Sequence, residues 1–196
     1  KTYVPIEVNI RNSFVAAPGM YLMSADYAQL ELRVMAHFSR DADLLAQLSD
    51  TSIDIFRTIA SQYLRKSVGS ITDDDRALAK HLCYGVLYGM GYGRMAKELG
   101  TTFLNAKNLV DEFKRSFPGL QKFFKVSIEE CKRTGYVETP LGRRRYFRGI
   151  FGKGEDKRKA KRTVSLSKRK QHSHQAYNTI CQGSAADIVK TAMVAI

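Results

Sequence analysis

The sequence predicts an α+β fold, mostly helical around a small antiparallel sheet. Three observations carry that expectation. Apolar residues recur at helical spacing over most of the chain, as Leu30, Val34 and Phe38 do. Thr72-Asp73-Asp74-Asp75 is a strong helix-start signal, because Thr72 can cap, Asp75 can complete a capping box, and three carboxylates suit the positive end of a helix dipole. Strand-like patterning is confined to two short stretches, 20–27 and 136–147. At 196 residues, 44% hydrophobic and 26% charged, the chain can bury one sizeable core or two small lobes.

Taken in order, 20–27 (MYLMSADY) reads as a short buried strand ending in Asp26. An amphipathic helix follows at 29–39 (QLELRVMAHFS), then two more at 41–48 and 54–64. The helix opened by Thr72 spans 73–90 and ends around Gly89-Met90-Gly91. A short helix at 93–99 stops at Gly100. Residues 103–117 and 119–134 form a helical pair, broken at Pro118-Gly119 and closed by Gly135. A β-hairpin at 136–147 turns at Pro140-Leu141-Gly142. Residues 152–171 form a basic loop, and a helix rich in small residues ends the chain at 174–196. The Gly89–Gly93 run follows a helix rather than a strand, so it marks a helix end and hinge, not a dinucleotide fingerprint.

The formal net charge is +13, and it is one-sided. Residues 1–100 carry 11 Lys/Arg against 11 Asp/Glu, so residues 101–196 hold the entire excess. Such asymmetry points to a polyanionic partner, foremost nucleic acid. The basic residues do not alternate with a Trp- or Leu-rich face, and no apolar run could span a bilayer, so a membrane partner is not expected. No secretory signal opens the chain, which starts and stops as an excised fragment would. Cys83, Cys131 and Cys181 are odd in number and widely spaced, as free buried thiols are. His172 and His174 lack nearby cysteines and read as part of a solvated loop rather than a metal site.

Arg76, Lys80, Tyr84 and Tyr88 recur at four-residue steps in RALAKHLCYGVLYG. On a helix such steps drift by about 40°, so the four side chains form one slowly winding ridge. Two cations suit a triphosphate and two phenols suit a base, while Gly85 and Gly89 leave room for something bulky to approach. The ordinary alternatives are a solvated face pairing with Asp73 or Asp75, and two core aromatics. Asp26 can offer an oxygen to Mg²⁺ with the Tyr27 carbonyl as a second ligand, or simply cap a helix. Gln29, Glu31 and Arg33 alternate with apolar neighbours, and Glu31 could equally be a surface residue pairing along its helix. Arg143, Arg144 and Arg145 suit phosphate oxygens, or form a solubilising patch. Asn178 and Gln182, one turn apart, can address a base or sugar edge, or merely hydrate a helix.

Together these residues resemble the A-family DNA polymerases. Asp26-Tyr27-Ala28-Gln29-Leu30-Glu31-Leu32-Arg33 is similar to the family's first palm motif, DYSQIELR. The Arg76-to-Gly89 ridge is similar to its fingers-helix motif, and Gly142-Arg143-Arg144-Arg145 and Gln182-Gly183-Ser184-Ala185-Ala186-Asp187 match two further stretches in the right order. Phe56, where bacterial enzymes have His, Tyr84, where they have Phe, and the Cys83-Tyr84-Gly85 and Cys131–Gly135 stretches look most like the eukaryotic theta type.

The resemblance implies the palm-and-fingers portion of a right-hand polymerase fold: palm at 1–50, fingers at 51–135, and a return to the palm at 136–196. It implies template-directed transfer of deoxynucleotides to a primer 3′ end, in DNA repair. Two Mg²⁺ ions would act, with Asp26 and Tyr27 as metal ligands and Asp26, Arg76 and Lys80 as the catalytic set. Arg76, Lys80, Tyr84, Tyr88, Glu31, Gln29 and Phe56 would form the nucleotide pocket, with Glu31 blocking a 2′-hydroxyl and bonding to Tyr88. Arg33, Arg143, Arg144, Arg145, Asn178, Gln182 and His174 would contact primer–template DNA. Ser173 and His174 stand where the family has a Glu-Arg pair. The family's last palm motif, His-Asp-Glu, is absent up to Ile196, so the fragment alone is expected to be inactive, and Asp187 is no substitute. The basic loop is longer than usual and resembles the inserted loops of the theta type. A nuclear location, or an organellar one, and a helicase-like domain in the parent chain follow from the same resemblance. A single-subunit RNA polymerase and a catalytically silent DNA-binding module are the rival readings.

Overall fold

Short polar residues just ahead of apolar stretches set where the helices begin. The computed structural model describes residues 9–147 and 166–196. Helix α1 (Leu30–Ser39) starts after Gln29, which sits in the left-handed region at φ 54°. Helix α2 (Ala42–Ser49) is capped by Asp41, whose side chain accepts from the Leu44 amide. Asp54 caps α3 (Ile55–Leu64) through the amides of Phe56 and Arg57. Helix α4 (Asp73–Leu87) begins with both bonds of the expected Thr72/Asp75 capping box. Short α5 (Tyr92–Glu98) leads to α6 (Phe103–Ser116), capped by Thr102, and to α7 (Pro118–Thr134), which closes on Gly135 at φ 84°. The hairpin pairs β1 (Tyr136–Glu138) with β2 (Arg144–Tyr146), with Val137 opposite Arg145. A long α8 (Leu166–Ala195) follows.

Three expectations need correction. Residues 20–27 form no strand, and Met20 to Met23 are exposed, Tyr21 at 98%. A strand needs a ladder partner, and among the described residues none lies beside this stretch. The last helix starts at Leu166, so 166–171 are helical rather than loop, and the rest of the expected loop lies outside the described residues. The break between α6 and α7 is present but falls at Phe117, just before the expected Pro118-Gly119; Pro118 itself opens α7, where its missing N–H costs nothing and its fixed φ suits a first turn.

One apolar core runs through all eight α-helices of the described residues, with Leu32, Met35, Leu44, Phe56, Ile59, Leu87, Met95, Val110, Phe113, Leu120, Tyr177 and Cys181 among its buried members. A smaller cluster of Cys131, Val137, Phe147 and Ala176 seats the hairpin on α7 and α8. All three cysteines are free and buried. Burial pushes their thiols up, to about 12 for Cys83 and Cys181 and about 11 for Cys131, so they stay protonated. No helix among the described residues is long and apolar enough to cross a membrane.

Asp41 ties two distant helices together. It is buried; Oδ1 accepts from Leu44 N at 3.1 Å, and Oδ2 accepts from Gly119 N at 2.7 Å. Helices α2 and α7 therefore share one carboxylate at their N-termini, where the exposed amides and the dipoles favour negative charge. A Cβ on Gly119 would come within 2.8 Å of the Asp41 backbone, so the close approach requires glycine. Asp41→Ala should cost about 2–3 kcal/mol, because a buried group bonded to charge is lost from two helices. Thr72→Ala, an exposed cap, should cost about 1 kcal/mol. Chemical denaturation of both variants checks the ranking, and equal losses would refute it.

Candidate functional site

The ridge on α4 meets α3 at Phe56 and Asp54 and α8 at Asn178. Arg76 donates from Nε to Asp54 Oδ2 at 2.6 Å, and its guanidinium lies 5.6 Å from the centre of the Phe56 ring. Phe56 is followed by Tyr84 at 5.9 Å, and Tyr84 stacks on Tyr88 at 5.9 Å and 23°. The Tyr88 carbonyl accepts from Asn178 Nδ2 on α8 at 3.3 Å. A continuous row of contacts thus runs from a cation through three rings to a carboxamide.

Tyr84 is partly buried and sits within the field of two carboxylates. Burial, the Cys83 thiol, Glu31 and Asp26 together push its phenol up. Glu31 is itself raised by burial, and it also acts on Cys181 of α8. Asp26 and Glu31 thus act electrostatically on Tyr84, although they lie 58 and 53 residues before it in sequence. Asp26 and Tyr27 are solvent-exposed. Lys80 is exposed, and among the described residues no hydrogen bond or ion pair engages it. Gln29 is half-buried where the chain turns into α1.

Several expected roles change once the contacts are known. Arg76 pairs with Asp54, not with Asp73 or Asp75, which are taken by Arg57 and Lys66. Phe56 is only 1% exposed, so it backs the pocket and does not line it. Glu31 makes no hydrogen bond to Tyr88 among the described residues. The space beside Gly85 is filled by Met95, whose Cε would lie 2.4 Å from an added Cβ, and the space at Gly89 is filled by His174, whose Nδ1 would lie 2.1 Å away. Those glycines admit the protein's own side chains.

Arg33 braces the fold: Nε donates to the Ala28 carbonyl at 3.0 Å and Nη1 to the Leu48 carbonyl at 2.8 Å. The hairpin arginines are also engaged. Arg143 donates to Asp187 at 2.8 Å and to the Gly183 carbonyl at 2.7 Å, while Thr139 donates to the other Asp187 oxygen at 2.7 Å. Arg144 pairs with Glu138 and covers the Tyr136 ring, and Arg145 donates to Thr179 at 2.8 Å. Asp187, with a side chain 12% exposed, is thus a clasp between hairpin and α8. Gln182 is exposed.

Sequence reasoning gave no role to Asp54, Met95 or Thr139. Asp54 could be read only as the mark of a helix start, and no local signal tells where its second oxygen points.

Gly89 has φ 71°, so a side chain there is strained even before it meets His174. Gly89→Ala should cost at least about 1–2 kcal/mol from the backbone alone. Adding His174→Ala should recover the steric part and leave the backbone part. Denaturation of the single and double variants checks this, and strict additivity would rule out the contact.

The chain matches the family model for DNA polymerase family A over residues 4–196. It is 41% identical to DNA polymerase theta of Mus musculus over 193 residues, 98% of this chain and 7% of that protein. It is 35% identical to DNA polymerase I of Deinococcus radiodurans over 185 residues, 94% of this chain and 18% of that one. Among solved structures, the POL domain of Pol1 from M. smegmatis, in complex with DNA primer-template and dNTP, is similar with a TM-score of 0.73 and 31% identity. That likeness covers 86% of this chain and 28% of the other. The chain therefore spans well under a third of each of these relatives. With a family match reaching from residue 4 to residue 196 on a helical fold of the same shape, the chain belongs to DNA polymerase family A.

Proposed function

We propose that the chain is the palm-and-fingers part of an enzyme for template-directed DNA synthesis, with palm at 1–50, fingers at 51–135 and a return to the palm at 136–196. The single observation that carries this reading is the continuous row of contacts from the Arg76 guanidinium over Phe56, through Tyr84 and Tyr88, to Asn178 of α8, which joins a cation, stacking rings and a carboxamide in one site. The dNTP and primer-template in the similar Pol1 structure support the choice of ligands. Likeness to a theta-type enzyme supports a DNA repair role and a nuclear location.

Asp26 and the Tyr27 carbonyl are hard oxygen donors open to solvent, which fits Mg²⁺, an ion that keeps water and takes few carboxylates. The metal, when bound, would activate the primer hydroxyl and offset charge on the leaving pyrophosphate.

The rest of the work falls to the chain's own groups. Arg76 and Lys80 bind the triphosphate, and Lys80 Nζ gives a proton to the departing phosphate oxygen. Tyr84 packs on the base and sugar, and Tyr88 stacks near the templating position. Glu31 occupies the space that a 2′-hydroxyl would need. Gln182 and the free edges of the hairpin arginines contact the DNA backbone and groove, with Asn178 and His174 alongside.

Primer extension by the full-length enzyme tests this reading. Asp26→Asn should lower kcat by at least about 10²-fold, the order for losing a charge that acts on the transition state. Glu31→Ala should leave extension intact and raise ribonucleotide insertion. Equal extension rates for wild type and Asp26→Asn would defeat the metal assignment, and unchanged sugar discrimination in Glu31→Ala would remove its steric role.

A further inference from the structure

Asp54 divides its two oxygens between two elements. Oδ1 accepts from the amides of Phe56 at 2.9 Å and Arg57 at 3.3 Å, which fixes the start of α3. Oδ2 accepts from Arg76 Nε at 2.6 Å. The cap makes the carboxylate rigid, because its rotamer is set by the helix it begins. Arg76 is then held at three points: its own backbone on α4, the carboxylate at Nε, and the Phe56 ring at 5.6 Å beneath the guanidinium.

This hold uses only Nε. Among the described residues no hydrogen bond reaches Nη1 or Nη2 of Arg76. A guanidinium carries five donors in a flat fork, so four N–H groups remain for a ligand. The pair is about one-third exposed on each side, 35% for Arg76 and 31% for Asp54, which leaves it accessible to a ligand from solvent. Partial burial opposes ionisation of Asp54, but the Arg76 hydrogen bond and the two amides outweigh it, so the carboxyl sits below its ordinary range. The neighbouring Arg57–Asp73 pair, with Arg57 also bonded to the Ile71 carbonyl, keeps α3 and the first turn of α4 in register.

We infer that Asp54 is a positioning residue for nucleotide binding: it pins Arg76 by Nε above Phe56 and so presents both Nη groups, already ordered, to the triphosphate. This rests on the proposed function of the ridge. An arginine ordered in advance spends less rotamer freedom when the ligand arrives, which strengthens ground-state and transition-state binding alike. The effect belongs in KM, not kcat. A carboxylate that instead competed with the phosphates for Arg76 would weaken binding, and its removal would tighten it.

Asp54→Asn and Asp54→Ser separate the two duties of this side chain. Both residues cap helices well, so α3 keeps its start. The Asn amide cannot accept from Nε while its oxygen caps, and Ser is too short to reach. In steady-state primer extension by the full-length enzyme, each variant should raise the dNTP KM about fivefold and change kcat less than about twofold, as expected for loosening one partly exposed charged group. In an Arg76→Ala background the same changes should add nothing. If Asp54→Asn and Asp54→Ser lower KM or leave it unchanged while Arg76→Ala raises it, the inference is overturned and the nucleotide site stands. An additive effect in the Arg76→Ala background overturns it too. If Arg76→Ala leaves KM unaltered, the reading of the ridge as a triphosphate site fails first.

Discussion

The site depends on how closely α8 approaches its neighbours. Its inward face is built from Ala176, Tyr177, Cys181, Gly183, Ser184 and Ala185, all buried and mostly small. The Tyr177 ring lies flat against Phe124 of α7 at 4.0 Å, and Gly183 lets Thr139 of the hairpin turn come within reach. With those distances set, Asp187 can clasp Arg143 and Thr139, Asn178 can reach the Tyr88 carbonyl, and His174 can fill the space beside Gly89. A larger residue at Gly183 would push the turn away, since an added Cβ would lie 2.6 Å from Thr139. Interiors at crystal-like density cannot absorb such a shift locally.

Charge is used twice in this chain. The excess of cations in the second half suggests DNA, yet Arg143, Arg144 and Arg145 each have a partner within the protein. Arg33 and Arg57 likewise hold backbone carbonyls. These side chains shape the surface that a polyanion would meet, and a guanidinium with spare donors can do both. Lys80 differs, since it stands on the ridge with no such internal hold among the described residues. An ammonium has fewer directional demands than a guanidinium fork.

Local signals were legible where one residue controls one turn. The Thr72 box, Gly135 after α7 and the Pro140-Leu141-Gly142 turn each act within four residues, and each lies where the sequence puts it. The stretch 20–27 was misread because a strand is not a local object. Alternating apolar residues show that a segment could pair, while the ladder depends on a partner elsewhere. The start of α8 was misread for a related reason. Basic, weakly apolar residues carry no helical stripe, so continuation of the helix back to Leu166 shows no sequence period.

The sequence alone determined the ridge of Arg76, Lys80, Tyr84 and Tyr88 and its family, because helical spacing and motif order are properties of the chain itself. The tertiary structure decided what each of those groups touches. Asp54 rather than Asp73 holds Arg76, Phe56 lies under it and is buried, Met95 and His174 take the room beside the glycines, and Asn178 reaches the Tyr88 carbonyl. Contacts between residues tens of positions apart follow from how helices pack, and packing is set by the whole core at once rather than by any window of sequence.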